Sequence, residues 1–313
     1  MDRTVIVFVV ITYTLSIALS VAVGVTGGPA SRLAGLGAVA MFIPAIAVLA
    51  VQLICKARFP RMSWSRFPLK YFAFVFLMPV VMHAVMLPLT VAVEGRLPWQ
   101  AWLTPQADGL YHTPASRGWG AVAIQGLVGR IALNAAVGLA VVSTLAFFEE
   151  VGWRAWLLPR LADRMGGRCA VVVTSLTWAF WHIPFAFSGI HHLEGVRAAL
   201  TAIIMTIGIT GAGMVIGWLW LGTESIWIVS FAHGALNNWG QYAFKFMQTS
   251  AEHDASNALV LGAGNVALLV LGSFLLLFPI GFPFASSHVS NSKARNVAAI
   301  QPEASVDDTS HRD

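Results

Sequence analysis

Eight apolar runs of about twenty residues follow one another along this chain, at roughly 5–25, 33–55, 71–93, 131–158, 169–188, 197–221, 225–244 and 258–284. A helix of about 20 apolar residues spans the ~30 Å hydrocarbon core of a bilayer. At that length only helices satisfy their own backbone in lipid, so the expected fold is all-α, a polytopic transmembrane bundle of about eight spans. Only 11% of the residues are charged, against roughly 25% in a soluble domain, which excludes a water-soluble enzyme of this length. The first run exceeds the 7–15 residues of a signal-peptide core and is read as a retained span. One membrane-embedded domain is expected over 1–285. Residues 286–313 are rich in Ser, Asn, Asp, Ala and Val without a periodic apolar face, and are expected to form a disordered cytoplasmic tail.

The basic residues set the orientation. With the amino terminus cytoplasmic, the inner segments hold Arg3, Lys56, Arg58, Arg61, Arg66, Lys70, Arg160, Arg164, Arg168, Lys293, Arg295 and Arg312, and the outer ones only Arg32, Arg96, Arg117, Arg197 and Lys245. That bias places both termini inside. The net charge of +5 does not imply a nucleic-acid partner, because the Lys and Arg punctuate the spaces between spans and form no basic patch beside stacking aromatics. The partner that composition does imply is the lipid bilayer. Cys55 and Cys169 lack CxxC or Cys/His metal spacing and are read as free thiols near the cytoplasmic face. The outer segment 94–119 carries Trp99, Trp102, Tyr111 and Trp119, suited to the headgroup layer.

A charge at the bilayer centre costs about 2.5–3.5 kcal/mol on translocon scales, so six residues need an explanation: Glu149, Glu150 and Arg154 in the fourth run, His182 in the fifth, His233 and Asn237 in the seventh. Counting helical rise from Arg160, Arg168 and Glu224 puts Glu149, His182 and His233 at ~17, ~21 and ~14 Å, close enough in depth for three helices to meet in one layer. Glu150 and Arg154 are i and i+4 and can pair, which leaves Glu149, rotated by about 100°, to face another space. His233 and Asn237 are also i and i+4 and share a face. Plainer readings exist: an ion pair that only holds helices, a His182 that hydrogen-bonds a carbonyl, and interhelical bonding by His233 and Asn237. His83 has no polar companion at helical spacing and is read as a packing residue. Gly213 and Gly217 form a GxxxG read as a helix-packing device, and His191 and His192 in an outer loop bind a metal only with a third ligand.

Taken together, three segments resemble the CPBP family of intramembrane proteases, whose familiar members are CAAX prenyl endopeptidases. Its EExxxR motif matches Glu149, Glu150 and Arg154, its HxxxN matches His233 and Asn237, and its FxxxH appears with Trp178 in the aromatic place before His182. The match covers a catalytic core of about 140–240. The resemblance implies hydrolysis of a peptide bond in a membrane-associated peptide or protein, a prenylated CAAX peptide being the familiar case, within an integral membrane protein expected in the plasma membrane of a bacterium. Glu149 with His182 would activate water as general base, and His233 with Asn237 would stabilise the oxyanion, with Glu150 and Arg154 as a structural ion pair.

The family has also been classed with metalloproteases, and Glu149, His182 and His233 would supply a His₂Glu set for zinc. There is no HExxH, and a metal-free glutamate mechanism is preferred, with zinc kept open. A nucleophilic Ser or Cys is disfavoured because neither cysteine lies at site depth, no GxSxG occurs, and Ser175 is too far along its helix from His182. Two other functions use the same residues: a proton-coupled transporter, disfavoured because no internal repeat is visible, and a non-catalytic membrane protein giving immunity to a bacteriocin.

Overall fold

The first span, α1 (Arg3–Val25), turns its small polar residues inward. Thr12, Ser16 and Ser20 are buried with Val5, Phe8 and Val23, whereas Val10, Val21 and Val25 are exposed. This inside-out distribution is what a bilayer asks of a helix, since lipid rewards apolar surface and small residues let neighbours approach. The same solvent explains Leu53, 82% exposed on α2 (Ile43–Cys55).

The computed structural model describes residues 2–28, 32–57, 62, 64, 67–95, 107–111, 123–188, 195–240 and 254–278. Among these no strand occurs. Seven helices among the described residues are long and apolar enough to cross a membrane: Arg3–Val25, Ala38–Cys55, Leu69–Val93, Ile124–Met165, Gly167–Ala186, Gly195–Thr223 and Ala258–Leu277. The run expected over 225–244 is helical as Ile226–Ala235 and a π continuation, Leu236–Gly240. Those fifteen residues reach only ~22 Å. The continuation of that run, most of the outer segment 94–119, His191, His192 and the tail 286–313 lie outside the described residues.

After α3 (Leu77–Glu94), the fourth run is a helix of 42 residues, α4 (Ile124–Met165), which starts before the apolar stretch and runs past it. It does not break. It carries two π segments, Asn134–Gly138 and Val151–Leu157, the second beginning directly after Glu150. Single π turns inside α-helices absorb an extra residue and often mark functional positions. The last turns of α4 hold Arg160, Asp163 and Arg164 with Leu158 and Leu161 buried, an amphipathic end suited to the membrane surface.

Two tight turns set the depths of the site. Gly166, at φ +80, a conformation that favours glycine, closes the hairpin between α4 and α5 (Gly167–Trp181). Arg154 lies twelve residues before it and Trp178 twelve after, so the two come level. Similarly, α6 (Gly195–Thr223) reverses at Glu224, whose φ is 49, into α7 (Ile226–Ala235), where the Ser225 side chain caps the helix by accepting from the Ile228 N–H. Gly213 and His233 thereby fall at comparable distances from the turn. The last helix, α8 (Asp254–Leu277), packs along α6 and α3.

Small residues permit the close contacts. A Cβ on Gly213 would come within 2.7 Å of the Ser175 Cβ, and one on Gly217 within 2.6 Å of Val171, so the GxxxG seats α6 on α5. Gly234 lies against Ser143 and brings α7 onto α4 beside His233. On the other side, Phe8 of α1 stacks on Trp156 at 4.7 Å and meets Trp153 edge-on at 5.6 Å, and Trp181 donates to the Ser16 hydroxyl at 2.6 Å. Asp2 caps α1 through the Thr4 N–H and reaches Arg164 at 3.6 Å, so the start of α1 and the end of α4 share one face of the membrane. Cys55 and Cys169 are free thiols.

Candidate active site

Glu150 and Arg154, both 0% exposed, pair one helical turn apart as their spacing demands. The Arg154 Nη1 donates to Glu150 Oε1 at 3.0 Å, while Nη2 lies 3.5 Å from the Gly213 carbonyl of α6. The same carboxylate oxygen is 2.7 Å from His233 Nδ1. Because an arginine donates to it, the Glu150 carboxylate is an acceptor there, and His233 Nδ1 carries the hydrogen. The pair therefore ties α4 to α7 through the carboxylate oxygen and to α6 through the guanidinium. The plain ion-pair reading of the sequence is realised at this atom, and so is the interhelical-bond reading for His233.

Glu149 turns away from that pair, as its 100° offset predicts, but does not face an open space. It is 2% exposed, and its Oε2 accepts the indole N–H of Trp178 at 2.8 Å. Trp178 is the centre of the cluster. The Arg154 guanidinium lies 4.5 Å above its ring, and the rings of His233 and His182 meet it edge-on at 5.0 and 5.4 Å.

His182 stands where α5 ends. Its backbone N–H bonds to the Ala179 carbonyl at 3.1 Å, one residue short of the regular helical partner, so the Trp178 carbonyl is released. The ring of His182 takes that carbonyl instead, with Nδ1 at 2.9 Å. A carbonyl only accepts, so Nδ1 donates and Nε2 keeps its lone pair in the neutral ring. Pro184 in the following helical turn, Ile183–Ala186, is the local reason the regular ladder stops here.

Asn237 is the member that the structure does not draw in. It is half-buried in the π segment and has no hydrogen-bond partner among the described residues. Its neighbour Asn238 is buried and donates to the Asn134 carbonyl at 3.2 Å, joining one π segment to another. His83 bonds to the Pro79 carbonyl of its own helix, and Ser175 to Val171, so both are packing residues.

The zinc set named from the sequence does not fit this arrangement. Among the described residues no three of His, Cys, Asp and Glu are grouped to hold a metal ion. Glu149 is directed at an indole, and His182 and His233 are fastened by Nδ1 to different partners, so the three do not converge as ligands.

What the fold and the cluster define together is an integral membrane protein with buried carboxyl, guanidinium and imidazole groups gathered where α4, α5 and α7 meet. Residues 131–239 match a family model described as Type II CAAX prenyl endopeptidase Rce1-like. The match covers about a third of the chain and supports the CPBP/CAAX protease family for that segment, which holds Glu149, Glu150, Arg154, Trp178, His182, His233 and Asn237. The matched segment nearly coincides with the core of 140–240 expected from the motifs. No curated protein matches the chain.

Proposed function

We propose that this protein is an intramembrane endopeptidase that hydrolyses a peptide bond of a membrane-associated substrate, of the prenylated CAAX type, with a water activated by Glu149. One observation carries the reading: Glu149, His182 and His233 come from three helices and meet around a single tryptophan, while Glu150 and Arg154 stand behind them.

In this reading Glu149 takes the proton of the attacking water, assisted by the bare Nε2 of His182. The tetrahedral oxyanion accepts a hydrogen bond from His233, whose Nε2 is the nitrogen not engaged by Glu150. That donation needs a hydrogen on both ring nitrogens of His233, since Nδ1–H is already given to Glu150. Asn237, free of other bonds among the described residues, turns toward the oxyanion on substrate binding. Glu150 then has a wider role than the ion pair alone, because it orients the oxyanion-binding imidazole. The membrane expected is the plasma membrane of a bacterium.

The test is cleavage by purified protein in detergent of a panel of membrane-anchored and isoprenylated peptides. Glu149→Gln is expected to lower kcat by about 10²–10⁴-fold, and His233→Ala by about 10²–10³-fold. If both variants cleave as well as wild type, the hydrolase reading fails. A transporter instead gives pH-gradient-driven flux without proteolysis, and an immunity protein keeps its protection in Glu149→Gln.

A further inference from the structure

We propose that Trp178 is the positioning residue of this site, holding the Glu149 carboxylate through its indole N–H and the His182 ring through its main-chain carbonyl. The inference rests on the hydrolase reading above and adds to it the group that orients the base and its histidine from one point.

The indole is a donor only, and burying it has a cost unless it finds an acceptor. In this bundle that cost is not always avoided: the buried Trp153 and Trp156, both 0% exposed, have Nε1 atoms without a hydrogen-bond partner among the described residues. Pairing is therefore not the default for a buried indole here. Trp178 alone among these three directs its N–H to a carboxylate, at 2.8 Å. Its ring is also fixed on several sides, by Arg154 above the face and by the two histidines at its edges. A phenylalanine would fill most of the same volume but would leave Glu149 Oε2 without this donor.

The main-chain half of the clamp is as specific. The Trp178 carbonyl is available because the His182 N–H has moved to Ala179, and the His182 ring then donates its Nδ1–H to that carbonyl. One residue thus sets the rotation of the Glu149 carboxylate and the tautomer of His182. Misplacement of a reacting group by about 1 Å is enough to lower rates about 10²-fold.

The experiment replaces Trp178 with 3-benzothienylalanine, which keeps the ring shape and lacks the N–H, and with Phe, in full-length protein in detergent. On a peptide that wild type cleaves, both are expected to lower kcat about 10- to 100-fold with KM within about twofold and an unchanged thermal midpoint for the isostere. The loss is expected to vanish when Glu149→Gln is already present, because the N–H then acts on nothing that reacts. Unchanged kcat in the isostere overturns the proposal. A second readout does not depend on turnover. In ¹⁵N-tryptophan protein, the indole resonance that disappears in Trp178→Phe is expected to shift in Glu149→Ala, and an unmoved resonance shows that the hydrogen bond is absent and overturns the proposal. If the resonance shifts but wild type cleaves no peptide, the hydrolase reading fails, and the positioning role falls with it.

Discussion

Two adjacent glutamates, changed in the same conservative way, are expected to fail differently. In Glu150→Gln the amide oxygen can still accept from Arg154 and His233, at positions now 3.0 and 2.7 Å from the carboxylate oxygen. What is lost is charge assistance. A hydrogen bond to a charged group contributes about 1.5–3 kcal/mol against about 0.5–1.5 for a neutral one, so two bonds lose about 2–3 kcal/mol together. In addition Arg154, 0% exposed, loses its nearest counter-charge. Glu149→Gln removes one buried charge whose described partner is the Trp178 indole, and that indole can donate to the amide oxygen as well. Its stability is expected to stay within about 1 kcal/mol of wild type. The assay is reversible unfolding in mixed micelles with increasing SDS, followed by tryptophan fluorescence, alongside peptide cleavage. Glu150→Gln is expected to shift the unfolding equilibrium about 30- to 150-fold, the equivalent of that 2–3 kcal/mol, while Glu149→Gln keeps its stability and loses activity. Equal destabilisation by the two variants, or none by Glu150→Gln, would refute the division of labour between them.

Other variants probe other parts of the fold. Gly234→Ala places a methyl against the Ser143 side chain and within 2.7 Å of its Cα, which pushes α7 from α4. The expected cost is about 1–3 kcal/mol, seen as a lower thermal midpoint together with reduced cleavage. Ser143→Ala removes a buried hydroxyl that has no partner among the described residues, and the unfolding midpoint is expected to stay level or rise. The Thr4 backbone N–H holds the Asp2 carboxyl below its ordinary range. A lowered folded-state pKa stabilises above the unfolded value and is lost on acidification, so the Asp2 contribution to the α1 cap should be intact at neutral pH and disappear below about pH 4, as a side-chain NMR titration in micelles will report. Finally, Cys169 at the exposed start of α5 lies beside the face shared by Asp2 and Arg164. An impermeant maleimide should label it in inside-out vesicles and not in intact cells; the reverse pattern contradicts a cytoplasmic amino terminus.

Much of the bundle was legible in the residues because lipid leaves few choices. Long apolar runs must be helices, and seven of the eight runs appear as spans of sufficient length among the described residues. The run at 225–244 is described only as far as Gly240, as Ile226–Ala235 and a π segment from Leu236 whose change of pitch nothing in those residues announces. Helical spacing gave the Glu150–Arg154 pair and the separate direction of Glu149, because residues four apart stay about one turn apart even where the π segment starts at Val151. Depth counting gave the common layer of Glu149, His182 and His233 because two tight turns, at Gly166 and Glu224, tie depth to residue number. The cross-helix bonds were not legible. Glu150 reaches His233, and Trp178 reaches Glu149, through contacts set by rotation about helix axes and by the approach of Gly234 to Ser143. The Trp178 in the aromatic place was visible in the sequence, but only the distance to Glu149 turns its N–H from a substitution into a contact. The zinc alternative also depended on rotation, since residues at one depth become ligands only if they face one point.

The central claim, that Glu149 activates a water to cut a peptide bond within the membrane, is tested most directly by cleavage in ¹⁸O-labelled water. A membrane-anchored peptide is incubated with wild type or Glu149→Gln, and the products are weighed by intact-mass spectrometry. The account predicts one ¹⁸O in the new carboxyl terminus with wild type, and no product above background with Glu149→Gln. Equal product from the two proteins would contradict it.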